Sequence, residues 1–487
     1  MRTSFDAVVI GAGAVGCAVA RELSGRGLRT AVLEREADVA FGNSGRNSGV
    51  VHTGFNNEPG SLKAALCREG SEGFEKLAEK LGIGYRKTGK LVVGSTPKDL
   101  DTLRRLKKQG ETNEIPELEI LTEEKIGTLE PAIRGRYALW SGRTAVFDPF
   151  EYTLALAEDA AVRGACFLFG HEVESLTKEE EDTVIKAGTY NGETIEITAG
   201  IVINAAGLFS PEIRKMAGDD SYTIRPCRGE YHLLERGTFG GLSRPVYPVP
   251  DTEKGVLGIH LTPTLHGNLM IGPSAEFTED PEDMAATAPV MAELLEGARC
   301  LLGDKVPLKV IRSFSGVRPK LTDREGWPVE DFVIENDPAW PGLIHLMGIE
   351  SPGITASVPI AGLAAEMLLQ EGLIGRGARM EFRDRNTMFP AVSKAVRGKM
   401  ICRCETVTEG EILQALENLK CLGAIPTLKG IKNRTRASMG SCQGGFCTLD
   451  MSKLFSEKTG IPTDRLTYNG PGSELFPGFL KGGTGRD

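Results

Sequence analysis

Apolar and polar positions along the chain fall into a strand–helix–strand pattern from the start. Residues 5–10, Phe-Asp-Ala-Val-Val-Ile, are a short apolar run that predicts a buried strand. Apolar positions at helical spacing predict a helix over 14–26, and 29–34, Arg-Thr-Ala-Val-Leu-Glu, predict the next parallel strand. Residues 5–34 therefore make one βαβ unit. Residues 41–54 are rich in Gly, Ser and Asn and predict a loop, and a helix is expected at about 60–81. Strand signals punctuated by Pro and Gly dominate from about 220 to 320, as in a sheet domain inserted into a nucleotide-binding one. A late strand at 342–347 is followed by a loop and an Ala/Leu-rich helix from about 355 to 370. A charged stretch at 376–399 reads as a linker, and the Gly/Pro-rich tail beyond 466 as irregular.

With 487 residues there is room for two or three domains, and the composition (40% apolar, 25% charged) is that of a globular protein. The net charge of −9 argues against nucleic acid as a partner, because phosphate-backbone binding needs concentrated Lys and Arg. A small anionic substrate remains open, since it needs only one or two local cations. No apolar run reaches the roughly 20 residues that span a bilayer, and the chain enters a strand at Phe5 without a basic, apolar leader. A cytoplasmic location is expected, with at most peripheral membrane contact through a partner.

Gly11-Ala-Gly13-Ala-Val-Gly16 follows the first strand and opens the first helix. The first glycine makes the tight turn, the second lets backbone approach a pyrophosphate, and the third lets helix and strand pack closely. The helix N-terminus offers free N–H groups and partial positive charge to the anion. Glu34 ends the second strand, where a carboxylate can accept ribose hydroxyls. This is a dinucleotide site of Rossmann type, for NAD or FAD. Two later segments favour FAD. Residues 201–208 form a strand ending in small residues, including Ala206 and Gly207, that can pass close to a dinucleotide. Residues 348–355, Gly-Ile-Glu-Ser-Pro-Gly-Ile-Thr, lead into a helix whose N-terminus can stabilise an anionic reduced flavin.

At these segments the chain resembles flavoproteins of the D-amino-acid-oxidase/glycine-oxidase superfamily, over nearly all of residues 5–372. Asn43-Ser-Gly-Arg-Asn-Ser-Gly-Val-Val-His52-Thr-Gly is similar to the flavin-covering loop of two branches, the glycerol-3-phosphate oxidases and dehydrogenases and the L-2-hydroxyglutarate dehydrogenases. Pro59-Gly-Ser-Leu-Lys-Ala and Arg228-Gly-Glu-Tyr231 look closer to the hydroxyglutarate enzymes. Lys254-Gly-Val-Leu, Pro263-Thr-Leu-His266-Gly-Asn, Phe314-Ser-Gly-Val-Arg318-Pro-Lys and Gly348-Ile-Glu-Ser-Pro-Gly353-Ile-Thr look closer to the glycerol-3-phosphate enzymes. The resemblance implies FAD contacts at Ser44, Asn47, Ser48, Val173, Ala206, Gly207, Gly348, Gly353, Ile354 and Thr355. It also implies a substrate site at Lys254, Arg318 and Ser351.

Both candidate substrates are secondary alcohols bearing an anion. Their oxidation removes a hydride from carbon and a proton from the hydroxyl, and His is the default base near neutral pH. His52 lies in the covering loop, where the resemblance puts the family's active-site histidine. Arg318 matches the family's substrate-binding arginine, whose planar fork suits phosphate or carboxylate. Lys254 is a second phosphate contact by the resemblance, and His232 and His266 are weaker options for the anion.

Five of the ten cysteines fall between 402 and 447. Cys402-Arg-Cys404 and Cys442-Gln-Gly-Gly-Phe-Cys447 make two close pairs, a four-thiolate set that selects zinc or iron–sulfur. Zinc pairs usually have two to four residues between their ligands; here the spacings are one and four. The pattern resembles the bacterioferritin-associated-ferredoxin-like domain, which implies a [2Fe–2S] cluster on Cys402, Cys404, Cys442 and Cys447. Cys421 reads as a packing residue.

The expected architecture is α/β. FAD-binding parts lie at about 1–95, 145–220 and 310–375, and an interleaved β-rich substrate domain at about 96–144 and 221–309. A linker at 376–399, a small helical iron–sulfur domain at 400–455 and a tail at 456–487 follow. The expected activity is oxidation of glycerol 3-phosphate to dihydroxyacetone phosphate. Electrons would leave FAD through the cluster to an electron-accepting partner subunit or flavoprotein. The alternatives are L-2-hydroxyglutarate, or another 2-hydroxy or amino acid, as substrate, and a non-catalytic electron-transfer or redox-sensing subunit.

Overall fold

The computed structural model describes residues 3–250, 258–303, 306–375, 384–392 and 398–476. The first strand, Thr3–Ile10, is the centre of an eight-stranded sheet. It pairs in parallel with Thr30–Glu34 on one side and Thr194–Asn204 on the other, and Cys166–Phe169 extends the sheet beyond Thr30–Glu34. Ala7, Val8 and Val9 are fully buried, as a strand covered on both faces requires. The helices Ala14–Gly25, Pro149–Val162 and Gly353–Gln370 pack together on one face, with Leu62–Leu81 against the last of them. Gly353–Gln370 is the one described helix long and apolar enough to cross a membrane, and more than half of it is buried here.

A second, nine-stranded sheet is built on the antiparallel pair Tyr222–Leu234 and Val310–Asp323. Leu269–Ile271, Leu261–Pro263, Val246–Pro248, Lys90–Gly94, Tyr137–Ser141 and Leu118–Thr122 follow in that order. This sheet takes 90–94 and 310–323, which the expected division gave to the nucleotide-binding parts. Lys90–Gly94 pairs with Val246–Pro248 and Tyr137–Ser141, and Val310–Asp323 with Tyr222–Leu234, so partners distant in sequence decide the allegiance of both. The helix Ala288–Leu302 also interrupts the region where strands were expected to dominate.

The C-terminal unit has two short strands, Met400–Cys402 and Val407–Thr408, and three helices, Glu409–Cys421, Leu428–Thr435 and Thr448–Thr459. Its core includes Leu466, with Tyr468 and Leu475 packed on it, so the described part of the tail belongs to this unit. The described part of the linker is also anchored. Phe389 is buried in the core of the nucleotide-binding unit, and Arg385 pairs with Glu158 at 2.6 Å.

Candidate active site

The glycine loop has the geometry its sequence predicts. Gly11 has φ +103°, and a Cβ there would meet the Ala205 carbonyl oxygen at 2.6 Å. The 205–206 turn therefore presses on the loop, with Gly207 beside it at φ +59°. A Cβ on Gly16 would meet the Gly11 carbonyl oxygen at 1.9 Å, so helix and strand could not approach as they do. At Gly13 a Cβ would meet only the Ser44 hydroxyl, at 3.1 Å, which leaves the side facing the helix N-terminus clear for a diphosphate. Glu34 accepts from the Ala12 N–H at 2.6 Å and the Glu36 N–H at 2.9 Å. Burial raises its carboxyl above the usual range, against the pull of these two donors. These features fit FAD at this end of the chain. The Val173 side chain packs into the apolar core under the sheet, so a cofactor contact there falls to its backbone.

The covering loop ties the two sheets together. Ser44 accepts from the Ala14 N–H at 2.9 Å, at the N-terminus of the first helix. Asn43 accepts from the Val317 N–H at 2.9 Å and donates back to the Val317 carbonyl. Asn47 donates to the Ser44 carbonyl and accepts from the Gly49 N–H, which fixes the turn before His52. The His52 N–H donates to the Thr355 hydroxyl at 3.1 Å, which sets the loop against the N-terminus of the helix Gly353–Gln370. Glu350 holds the 348–355 loop in place by pairing with Lys63 at 3.0 Å and Lys320 at 2.7 Å. Gly348 makes the entry turn at φ +64° and does not line the cavity.

These elements enclose a cavity of about 860 Å³, a size ordinary for a cofactor ring and a small ligand. Ser44, Asn47, Ser48, Ser351, Gly353, Ile354 and Thr355 line it, together with His52 and Arg318. Burial and the neighbouring Lys90 ammonium push the His52 imidazole down to about 3, so the ring is neutral here, with both effects opposing its charged form. The other candidate histidines are engaged elsewhere: His232 bonds Ser313 and the Met291 carbonyl, and His266 bonds Asp148 at 2.8 Å. The Arg318 guanidinium donates to the Ser274 carbonyl and pairs with no carboxylate among the described residues. A Cβ on Gly229 would meet it at 2.8 Å, so the glycine of the Arg-Gly-Glu-Tyr motif makes room for this cation. Lys254 lies outside the described residues. Sequence reasoning missed Lys90 and Tyr247, which also line the cavity. No motif surrounds either; the one local signal is that Lys90 opens an otherwise apolar strand.

In the C-terminal unit the four thiols lie as two pairs, with no group of three or more ligands gathered around one point among the described residues. Cys404 and Cys442 are exposed, with their sulfurs 3.7 Å apart. Cys402 and Cys447 are buried free thiols, hydrogen-bonded to each other. Bonds of about 2.3 Å at a tetrahedral metal put two sulfurs about 3.7 Å apart. Two thiolates on each of two irons match this pairing better than four on one zinc. The Phe446 and Gly444 N–H groups donate to the Cys442 sulfur and draw its thiol below the ordinary range. A Cβ on Gly440 would meet the Cys404 Cβ at 2.2 Å, so close packing of the two cysteine segments depends on this glycine.

The two units are joined on the segment that follows Glu34. The Ile425 N–H donates to the Ala37 carbonyl at 2.9 Å. The Lys429 ammonium reaches the Phe41 carbonyl at 3.3 Å. Arg434 and Asp38 form an ion pair with side chains only 3% and 1% exposed.

The chain belongs to the family of FAD dependent oxidoreductases, whose profile matches residues 6–367. Residues 400–457 match the BFD-like [2Fe-2S] binding domain. FAD and a [2Fe–2S] cluster are thus the cofactors of this protein. A glycerol 3-phosphate dehydrogenase of Caloramator mitchellensis is 33% identical, across 98% of this chain and 99% of the relative. The human mitochondrial L-2-hydroxyglutarate dehydrogenase is 32% identical, across 76% of this chain and 89% of its own. Among solved structures, the L-alpha-glycerophosphate oxidase of Mycoplasma pneumoniae with FAD bound superposes with a TM-score of 0.71 at 25% identity, covering 78% of this chain and 98% of its own.

Proposed function

We propose that this oxidoreductase is a dehydrogenase that oxidises sn-glycerol 3-phosphate to dihydroxyacetone phosphate and passes the electrons to a partner protein. The observation that carries the reading is that a neutral histidine, His52, and an arginine without a carboxylate partner, Arg318, line one cavity beside the nucleotide loop. Similarity to a glycerol 3-phosphate dehydrogenase along 98% of the chain, iron–sulfur domain included, supports it.

When bound, FAD supplies the two-electron acceptor and the cluster a one-electron outlet. The work of the chain is to bind, orient and deprotonate. The Arg318 fork takes the phosphate oxygens in a charge-assisted pair. His52 accepts the proton of the substrate hydroxyl at a ring nitrogen, and its backbone is held by Thr355 so that the ring keeps its place. Phe55, Tyr231 and Tyr247 wall the cavity with aromatic surface, which excludes water and strengthens the polar contacts inside. Ser351 lies on the same wall and is a further substrate contact.

L-2-hydroxyglutarate is the second reading, favoured by relatives about equally similar over the catalytic part. Anaerobic mixing with each substrate separates the two. Bleaching of the flavin by glycerol 3-phosphate, with little response to L-2-hydroxyglutarate, is the expected result; the reverse would overturn the assignment. His52→Gln should keep its FAD and bleach at least about 100-fold more slowly, the scale of a lost general base. Fast bleaching in that variant would remove His52 from its role.

A further inference from the structure

The cavity holds a cation with no counter-charge. Lys90 opens the strand Lys90–Gly94, all of whose residues are buried, and is itself 2% exposed. Its ammonium lies 4.5 Å from the Phe55 ring centroid and 4.5 Å from that of Tyr247. No carboxylate pairs with it among the described residues. Ring faces offset only part of what an ammonium loses on leaving water. Beside it, Tyr247 is 5% exposed, stacked on His260 at 3.5 Å, and its hydroxyl finds no hydrogen-bond partner among the described residues. Buried polar groups are normally paired. The Tyr247 hydroxyl is an exception on this cavity wall, and with the ammonium that lies over its ring it marks a place where a ligand pairs them.

Lys90 is far from Arg318 in the sheet. Four strands, Tyr222–Leu234, Leu269–Ile271, Leu261–Pro263 and Val246–Pro248, stand between the strand of Arg318 and that of Lys90. One cavity nonetheless touches both. His52 is on the Lys90 side, since Lys90 is the charged group its ring senses.

We propose that Lys90, together with the Tyr247 hydroxyl, is a second substrate-binding pole that holds the oxygen-bearing carbon next to the oxidised one, while Arg318 holds the remote anion. The inference rests on the hydroxy-substrate reading of this cavity. It defines a substrate class: a secondary alcohol flanked on one side by an oxygen function on the adjacent carbon and on the other by an anion further away. Glycerol 3-phosphate and 2-hydroxyglutarate both fit. Lactate fills only the Lys90 pole and leaves Arg318 unanswered.

The test uses the holoenzyme and two variants, Lys90→Met and Tyr247→Phe. Flavin bleaching by glycerol 3-phosphate gives kcat and KM, and the flavin band shift on adding dihydroxyacetone phosphate gives a Kd without turnover. Lys90→Met should raise Kd for dihydroxyacetone phosphate at least about 10-fold, a binding loss read without turnover and so independent of any change in the basicity of His52, and should raise KM with it. Tyr247→Phe should raise both by about 3- to 10-fold, the worth of one hydrogen bond, with FAD content and Tm unchanged because its hydroxyl has no protein partner to lose. If wild type bleaches with glycerol 3-phosphate and both variants keep its KM and Kd, the second pole is overturned and the functional reading stands. If wild type bleaches with neither glycerol 3-phosphate nor L-2-hydroxyglutarate, the functional reading falls and takes this inference with it. Should Lys90→Met fail to retain FAD, Tyr247→Phe decides alone.

Discussion

His52 and Lys90 are both buried titratable groups on one wall, and burial acts on them in the same direction. It strips the proton from His52 far below neutrality and brings the Lys90 ammonium down to about 8. The consequences for a pH profile differ. His52 stays neutral throughout the usual assay range, so kcat/KM should show no acid limb near the ordinary histidine value. Lys90 is charged below about pH 8 and loses its proton above it, so affinity for an anionic or oxygen-rich substrate should fall as pH rises through that value. A kcat/KM profile of wild type should therefore bend downward on the alkaline side, and Lys90→Met should lack that bend. A bend retained in the variant would assign it to another group. His52 was legible in the sequence because it sits in a motif and competes with only five other histidines. Lys90 was not. A lone lysine at the start of a strand reads as a solvated residue, and Phe55 and Tyr247, which bury it, come from separate segments that only the fold brings together.

Elements held together by local pattern were the ones the sequence predicted well. The opening strand, the helix Ala14–Gly25, the strand Thr30–Glu34 and the helices Leu62–Leu81 and Gly353–Gln370 follow from apolar periodicity and glycine placement. Val310–Asp323 falls largely within the stretch where strands were expected, whereas Lys90–Gly94 had no strand reading; the sheet that joins them was not legible, because strand partners are chosen by tertiary packing. The seam between the units was invisible for the same reason. Asp38 looks like an ordinary loop acid and Arg434 like an ordinary helix-end cation until the fold buries them against each other. Removing one member of a buried pair leaves the other charge stranded, at a cost of about 3–5 kcal/mol. Arg434→Met should accordingly split thermal unfolding into two transitions, the small unit melting first, as read by calorimetry. One unshifted, cooperative transition would show that the pair does not hold the seam.

At the scale of the molecule, the family and the cofactors follow from two regions carried on one chain, the FAD dependent oxidoreductase part at 6–367 and the BFD-like [2Fe-2S] binding part at 400–457. Their division of labour is testable by removing the iron alone. Chelation under anaerobic, reducing conditions should leave flavin bleaching by substrate intact and abolish turnover with one-electron protein acceptors. Undiminished turnover would mean that the electrons leave directly from the flavin. The grip of Ile425, Lys429 and Arg434 on residues 37–41 carries this further, because the same segment runs on to Ser44 above the nucleotide loop. If a change at one end of that segment is felt at the other, the linkage is reciprocal. Cluster loss should therefore speed FAD dissociation, measured as the rise of free-flavin fluorescence on dilution, and added FAD should slow cluster loss. In a cell short of iron, the protein would then shed its flavin as well and offer proteases a loosened chain, so that metal supply would set not only its activity but its lifetime.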